Sequence, residues 1–234
     1  MPASLYFKLE KERKTTLSIL VDDDTKLDPY KLQVPGNHNP PALSEIITHV
    51  YKTKLGATLD IIPSTLDLMY LALGKSDGRI EPIEERFDKF VQQCRSEYDV
   101  TIIDCHPAGS LFTKTSLRNS DHVIIPVMPQ RYAVRGIGLM MQFMDAKKAG
   151  SAAPTPYILF NHTPRIGVSP VETSIRSDAK YAKYCLENTL KRYKAFSEPE
   201  EGKNFVWASN KPYSTEAFTN LLKVSIEFIN KSGV

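Results

Sequence analysis

An α/β fold, a mostly parallel sheet flanked by helices, is the class this sequence predicts, and three observations carry the prediction. Residues 100–103 and 123–127 are short runs rich in Val and Ile, of the length expected for buried strands. The first run ends in Asp104 and leads into Pro107 and Gly109. An acid at the carboxyl end of a buried strand, before a tight turn, sits where open α/β sheets place ligand chemistry. Between the two runs, residues 110–119 read as a crossover helix, so 98–136 is a βαβ unit.

A chain of 234 residues is expected to form one domain spanning 1–234. Its 41% hydrophobic content is enough for a core, and its net charge of +3 permits contact with an anionic partner without demanding one. The three cysteines, Cys94, Cys105 and Cys185, share no C-x-x-C spacing, which argues against a zinc site or a disulfide framework. No apolar run approaches the ~20 residues of a membrane span. A soluble cytoplasmic protein with no membrane partner is the expectation.

The elements follow in order. Residues 4–14 pair Leu5 and Leu9 on one face of an amphipathic helix, and residues 15–21 read as a strand running into Asp22, Asp23 and Asp24. Residues 31–41 are a loop by composition, 42–50 a helix and 58–63 a strand. In 83–98, Ile83, Phe87, Phe90, Val91 and Cys94 share one helical face, a spacing that denotes core packing. Pro126 and Pro129 close the strand at 123–127 and stiffen its exit. Residues 138–148 read as a helix with methionines at 140, 141 and 144, whose commoner use is to fill a core. A strand at 157–160 ends in Asn161. Residues 174–193 read as a basic helix in which Arg176, Lys180, Lys183, Lys191 and Arg192 interleave with tyrosines, a pattern suited to phosphate neutralisation or to a plain solvated face. A last strand is expected at 205–209 and a closing helix at 215–229.

Asp104 with Pro107, then Asp121, the run 123–127, Pro129, Ala133 and Gly136, resembles the ParA/MinD group of partition and positioning ATPases. Asp22 and Asp24 match the two acids of that group's D-x-D strand end, although Thr25 and Lys26 stand where Pro and Gln are usual. The resemblance covers roughly residues 4 to 230. It implies a P-loop NTPase fold of the deviant Walker type, ATP and Mg²⁺ as ligands, an ATP-dependent homodimer, non-specific DNA as a partner, a ParB-like adaptor protein, and association with the nucleoid. It also implies residue roles. Asp104 would help hold Mg²⁺ through water, Asp22 would serve the attacking water, and Asp24 would belong to the metal region. Pro107 and Gly109 would sense the γ-phosphate, with Ala108 replacing a usual second proline. Asn161 would lie near the nucleotide base.

The group's glycine-rich loop precedes the helix that 4–14 resembles, and no G-x-x-x-x-G-K-[ST] occurs in the sequence. The fold is therefore expected without its first strand and P-loop, with truncation before residue 1 the favoured explanation. Two carboxylates lacking a cradle of N–H groups and lysines repel ATP, so residues 1–234 alone are expected to hydrolyse it poorly. Two readings stay open: a partition ATPase acting in plasmid or chromosome segregation, and a non-catalytic scaffold that binds DNA or a partner protein without turnover.

Overall fold

The computed structural model describes residues 15–21, 39–66, 68, 71, 81–105, 111–145 and 153–233, which fall into two compact units that divide between Asn119 and Ser120. The expected helix at 4–14, Asp22, Asp24, Pro107, Gly109 and most of the loop at 31–41 lie outside the described residues.

The first unit begins with a correction. Residues 15–21, expected as a strand, form a one-turn helix, α1 (Thr16–Leu20). Thr15 caps it: its hydroxyl accepts from the Leu17 N–H, and the Ser18 hydroxyl accepts from the Thr15 N–H in return. Leu17, Ile19, Leu20 and Val21 are all buried, so both faces of the segment are apolar and periodicity could not separate strand from helix. The Thr16 N–H and hydroxyl both donate to the Pro63 carbonyl, tying α1 to the end of a hairpin.

That hairpin corrects a second expectation. The helix foreseen over 42–50 stops after α2 (Leu43–Ile46), where Ile47 turns extended, and the β-branched and aromatic residues beyond form β1 (Thr48–Lys52). Through a turn with Gly56 at φ +94°, β1 pairs antiparallel with β2 (Thr58–Ile61). In α3 (Glu81–Glu97) the predicted stripe of Ile83, Phe87, Phe90, Val91 and Cys94 is buried against α1 and Leu43. The crossover helix follows as α4 (Leu111–Arg118).

Between α3 and α4, residues 100–103 pair with no described strand; Val100 is 50% and Ile102 87% exposed, and Ile103 alone packs on the core. β propensity reports fit to a paired surface, so Val and Ile alone do not make a strand.

In the second unit, β3 (His122–Val127) and β4 (Thr155–Phe160) pair in parallel, from His122 opposite Thr155 to Val127 opposite Phe160, around the helix α5 (Ala133–Asp145). Ile125, Val127, Ile158, Phe160, Ile137 and Met141 form the core between them, so the methionine face serves packing. The basic helix expected over 174–193 is replaced by α6 (Pro170–Ser177), which ends at Asp178, whose carboxylate accepts from the Lys180 N–H. A 3₁₀ turn at Ala182–Tyr184 follows. The chain then runs beside β4: Leu186 donates to the Ile158 carbonyl and Leu190 to that of Phe160, with Leu186 fully buried. A helix through this stretch would have left the outer groups of β4 without partners. The strand expected at 205–209 is a 3₁₀ turn, Val206–Ala208. The closing helix is α7 (Ser214–Ser232), capped by Gly233 in the left-handed region.

The fold is thus α/β, with one parallel pair and one antiparallel hairpin among the described strands. Among the described residues no helix is long and apolar enough to cross a membrane.

Candidate functional site

The carboxyl ends of β3 and β4 position the side chains with chemical potential in the second unit. The ladder runs to its last rung, where the Asn161 N–H donates to the Val127 carbonyl at 2.8 Å. Beyond it, the chain turns at once. The Asn161 side-chain oxygen accepts from the His162 N–H at 2.8 Å, and His162 sits at φ +55°, a conformation that costs a side-chain-bearing residue energy. Thr163 then locks the turn: its N–H donates to the Leu190 carbonyl, its carbonyl accepts from the Arg192 N–H, and its hydroxyl meets that of Thr189 at 3.0 Å. On the β3 side, the Ser169 hydroxyl donates to the Pro129 carbonyl and joins the two exit loops.

Arg165 lies on this edge with two aromatic neighbours. Its guanidinium is 3.7 Å from the centre of the Tyr213 ring and 5.5 Å from that of Tyr193, while its carbonyl accepts from the Lys191 ammonium at 3.2 Å. Tyr213 itself holds φ +64° at the start of α7. The Arg165 charge and the amide of Asn161, whose nitrogen remains a donor, suit an anionic ligand that carries a hydrogen-bond acceptor. The resemblance marked Asn161 as a base-side residue, and Lys191 was expected only among the DNA-facing basic residues. Arg165, Tyr193 and Tyr213 were not foreseen; the signal was a Pro-Arg pair just after a buried strand.

The other foreseen residues divide. Asp104, in the first unit, has an exposed side chain. Beside it burial pushes the Cys105 thiol up, and the Asp104 charge adds to that shift. The five basic residues do not form one helical face. Arg176 turns inward: it donates to the Glu172 carboxylate at 2.9 Å and to the carbonyls of Leu186 and Glu187, and lies 4.8 Å over the Phe160 ring. It acts as a rivet between α6 and the run beside β4. Lys180 and Lys183 are exposed, each over its neighbouring tyrosine ring, at the rim of a cleft of about 440 Å³ that also takes in Met141, Met144 and Thr155. Arg192 is exposed and Lys191 belongs to the carboxyl edge.

Among the described residues no three His, Cys, Asp or Glu converge on a metal. A lone exposed carboxylate such as Asp104 suits Mg²⁺, which keeps most of its waters and takes further oxygens from phosphates. The Asn161 amide donor suits a base acceptor.

An α/β protein with its polar side chains gathered beyond the carboxyl ends of parallel strands is built as nucleotide-binding proteins are. The fold is that of the P-loop NTPases: a structure of a Borrelia burgdorferi B31 protein assigned to plasmid partition and bound to AMPPNP superposes with a TM-score of 0.50 at 21% identity, over 73% of this chain and 65% of that one. Residues 13–151 match the family model described as AAA domain, and the chain belongs to this family, within its ParA/MinD-like members. Similar proteins include the sporulation initiation inhibitor protein Soj of Bacillus subtilis, 30% identical over 41% of this chain and 37% of Soj. The chromosome partitioning protein ParA of Myxococcus xanthus is 33% identical over 39% of this chain and 32% of its own length. An uncharacterized protein of Methanocaldococcus jannaschii is 29% identical over 74% of this chain and 68% of its own length. The chain therefore spans about a third of the length of Soj and ParA in the regions matched.

Proposed function

We propose that this protein acts in the segregation of plasmids or chromosomes, as a single ParA-like domain over 1–234 that binds ATP with Mg²⁺ where a phosphate cradle is supplied to it, dimerises on the nucleotide and binds DNA without sequence preference in the cytoplasm, over the nucleoid. The observation that carries this reading is the AAA-domain match over 13–151, which takes in Asp22, Asp24, Asp104, Pro107 and Gly109. The likeness to Soj and ParA supports it.

In this reading Asp104 would help hold Mg²⁺ through a water, Asp24 would belong to the metal region, and Asp22 would serve the water that attacks the γ-phosphate. Pro107 and Gly109 sense that phosphate. Asn161 donates its amide to the base, and Arg165, flanked by Tyr193 and Tyr213, adds positive charge to the same edge. The metal offsets phosphate charge when bound. Lys180, Lys183, Lys191 and Arg192 contact DNA phosphates, whereas Arg176 is spent on Glu172 and two carbonyls. A ParB-like protein is the partner that stimulates release.

The test is co-sedimentation of the purified chain with non-specific duplex DNA, with and without Mg²⁺-ATP. Retention that requires Mg²⁺-ATP and is lost in Asp104→Asn supports the reading. Retention indifferent to ATP points to the scaffold reading, in which DNA or a partner is held without turnover. No retention in either condition overturns both DNA-based readings.

A further inference from the structure

The cleft in the second unit lies where the end of α5, the start of β4 and the turn after α6 meet, at the opposite end of β4 from Asn161. Met141 and Met144 of α5, with Pro154 and Pro156, give it an apolar lining. Its volume of about 440 Å³ falls within the range of small-molecule sites, roughly 300–1,000 Å³. Methionine is unbranched and polarizable, so a wall built on two of them adapts to the shape of an apolar guest.

The local sequence sets two cations at this lining. α6 ends at Asp178, whose carboxylate accepts from the Lys180 N–H and whose carbonyl accepts from the Tyr181 N–H, and the 3₁₀ turn Ala182–Tyr184 follows. Residues three apart eclipse in 3₁₀ geometry, which brings Lys180 with Lys183 and Tyr181 with Tyr184 to the cleft. The Lys180 ammonium lies 5.3 Å from the centre of the Tyr181 ring, and the Lys183 ammonium 4.8 Å from that of Tyr184. Ring faces attract cations, so both charges are held at the cleft. Among the described residues neither ammonium meets a carboxylate, whereas Asp145, the third charged residue of the lining, has a partner within the chain. Tyr181 is only 6% exposed, and its hydroxyl is unpaired among the described residues, free to donate to a ligand. A Cβ at position 138 would stand 3.3 Å from that hydroxyl, so Gly138 of α5 leaves it room.

An apolar lining with two unpaired ammoniums suits a guest with an apolar body and one anionic head. We infer that this cleft binds a small amphiphilic carboxylate, its chain or ring against Met141 and Met144 and its carboxylate against Lys180 and Lys183. The same lysines face DNA phosphates in the function proposed above. The cleft assignment does not rest on that reading, because it uses only their place beside an apolar lining.

The probe is octanoate, added to the full chain carrying isotope-labelled methionine methyl groups and followed by NMR, with octanamide as the uncharged counterpart. Octanoate should shift the Met141 and Met144 signals to saturation below about 10 mM. It should leave in place the signal of Met128, which lies outside the cleft and is 46% exposed. The double variant Lys180→Glu with Lys183→Glu should bind octanoate about tenfold more weakly, and octanamide should bind the parent as weakly, because charge-assisted hydrogen bonds to the head group are lost. Both lysines are exposed, so their replacement leaves the core alone. Ala179→Trp, which fills the cleft from an exposed position of its lining, should abolish the shifts. Three results would each overturn the inference: no saturable shift at Met141 and Met144, shifts of equal size at Met128, or octanoate affinity matched by either octanamide or the double variant. The titration contains no DNA, so its failure leaves the co-sedimentation result standing, and a failed co-sedimentation leaves the cleft standing.

Discussion

Glu227 holds the run beside β4 in place from α7, and its removal has a calculable cost. Its carboxylate accepts from the Glu187 N–H at 2.6 Å, the Asn188 N–H at 2.8 Å, the Asn188 amide at 2.9 Å and the Lys231 ammonium at 2.9 Å. Burial by itself raises the carboxyl pKa, but the two backbone donors, Lys231 and the Asn188 amide together bring it down from 4.5 to about 2. A folded-state value below the unfolded one means stability that is present above the ordinary carboxylate range and lost as the pH falls from near 4.5 toward 2. At about 1.4 kcal/mol per unit the shift corresponds to about 3 kcal/mol, and the side chain, 9% exposed, is too buried for solvent to screen much of it. The substitution Glu227→Gln keeps the shape but turns one acceptor into a donor facing donors. It should cost about 2–3 kcal/mol at pH 7 by urea unfolding. The gap between parent and variant should then close as the pH approaches 2. A gap that stays constant from pH 7 to pH 3, or one under about 0.5 kcal/mol at pH 7, would show that the four contacts do not act on a charged carboxylate.

Three further outcomes follow from other sites. Arg176→Ala leaves the Glu172 carboxylate, itself buried, and the Leu186 carbonyl without their donor, and should lower unfolding free energy by about 3 kcal/mol, with Arg176→Lys recovering less than half. Burial and the hydrogen bond to Asp60 push Tyr98 up to about 12, so the phenolate absorbance lost in Tyr98→Phe, read as the difference from the parent, should appear only above pH 11; stability it contributes is whole below pH 10 and is lost as the pH climbs through 12, and a difference signal near pH 10 would refute the contact. A double-mutant cycle of Arg165→Ala and Tyr213→Phe or Tyr213→Ala should show coupling of about 0.5–1 kcal/mol for the alanine pair and little change for phenylalanine, because the ring face and not the hydroxyl meets the guanidinium.

Two elements could be read from sequence because their patterns are strong and local. The stripe from Ile83 to Cys94 has one helical face, and the run at 123–127 closes on Pro126 and Pro129; both appear where expected, whereas 100–103, the first strand of the expected βαβ unit, pairs with no described strand. Residues 15–21 failed as a strand because Thr15 and Ser18 close a capping box with hydroxyls alone, with no Glu or Gln to mark it. Residues 185–192 failed as a helix because their partners, Ile158 and Phe160, are far off in sequence, and because Glu227 and Asn220 of α7 supply the hydrogen bonds on the far side. At the carboxyl edge, Asn161 was singled out through the resemblance, and it does follow directly on β4. The Arg165–Tyr213 contact was not, since nothing local in 210–214 announces a left-handed tyrosine.

The outer edge of β3 carries a consequence for how the protein behaves in concentrated solution. The bonds from Thr155 to the Asp121 carbonyl and from Asn161 to that of Val127 mean that Asp121, Val123, Ile125 and Val127 face β4, so His122, Ile124 and Pro126 face away. Among the described residues no strand pairs with that side. Two of its rungs can give and accept hydrogen bonds, but Pro126 can only accept. A strand from another molecule that paired along His122–Pro126 would find no N–H at Pro126 and lose a ladder bond there.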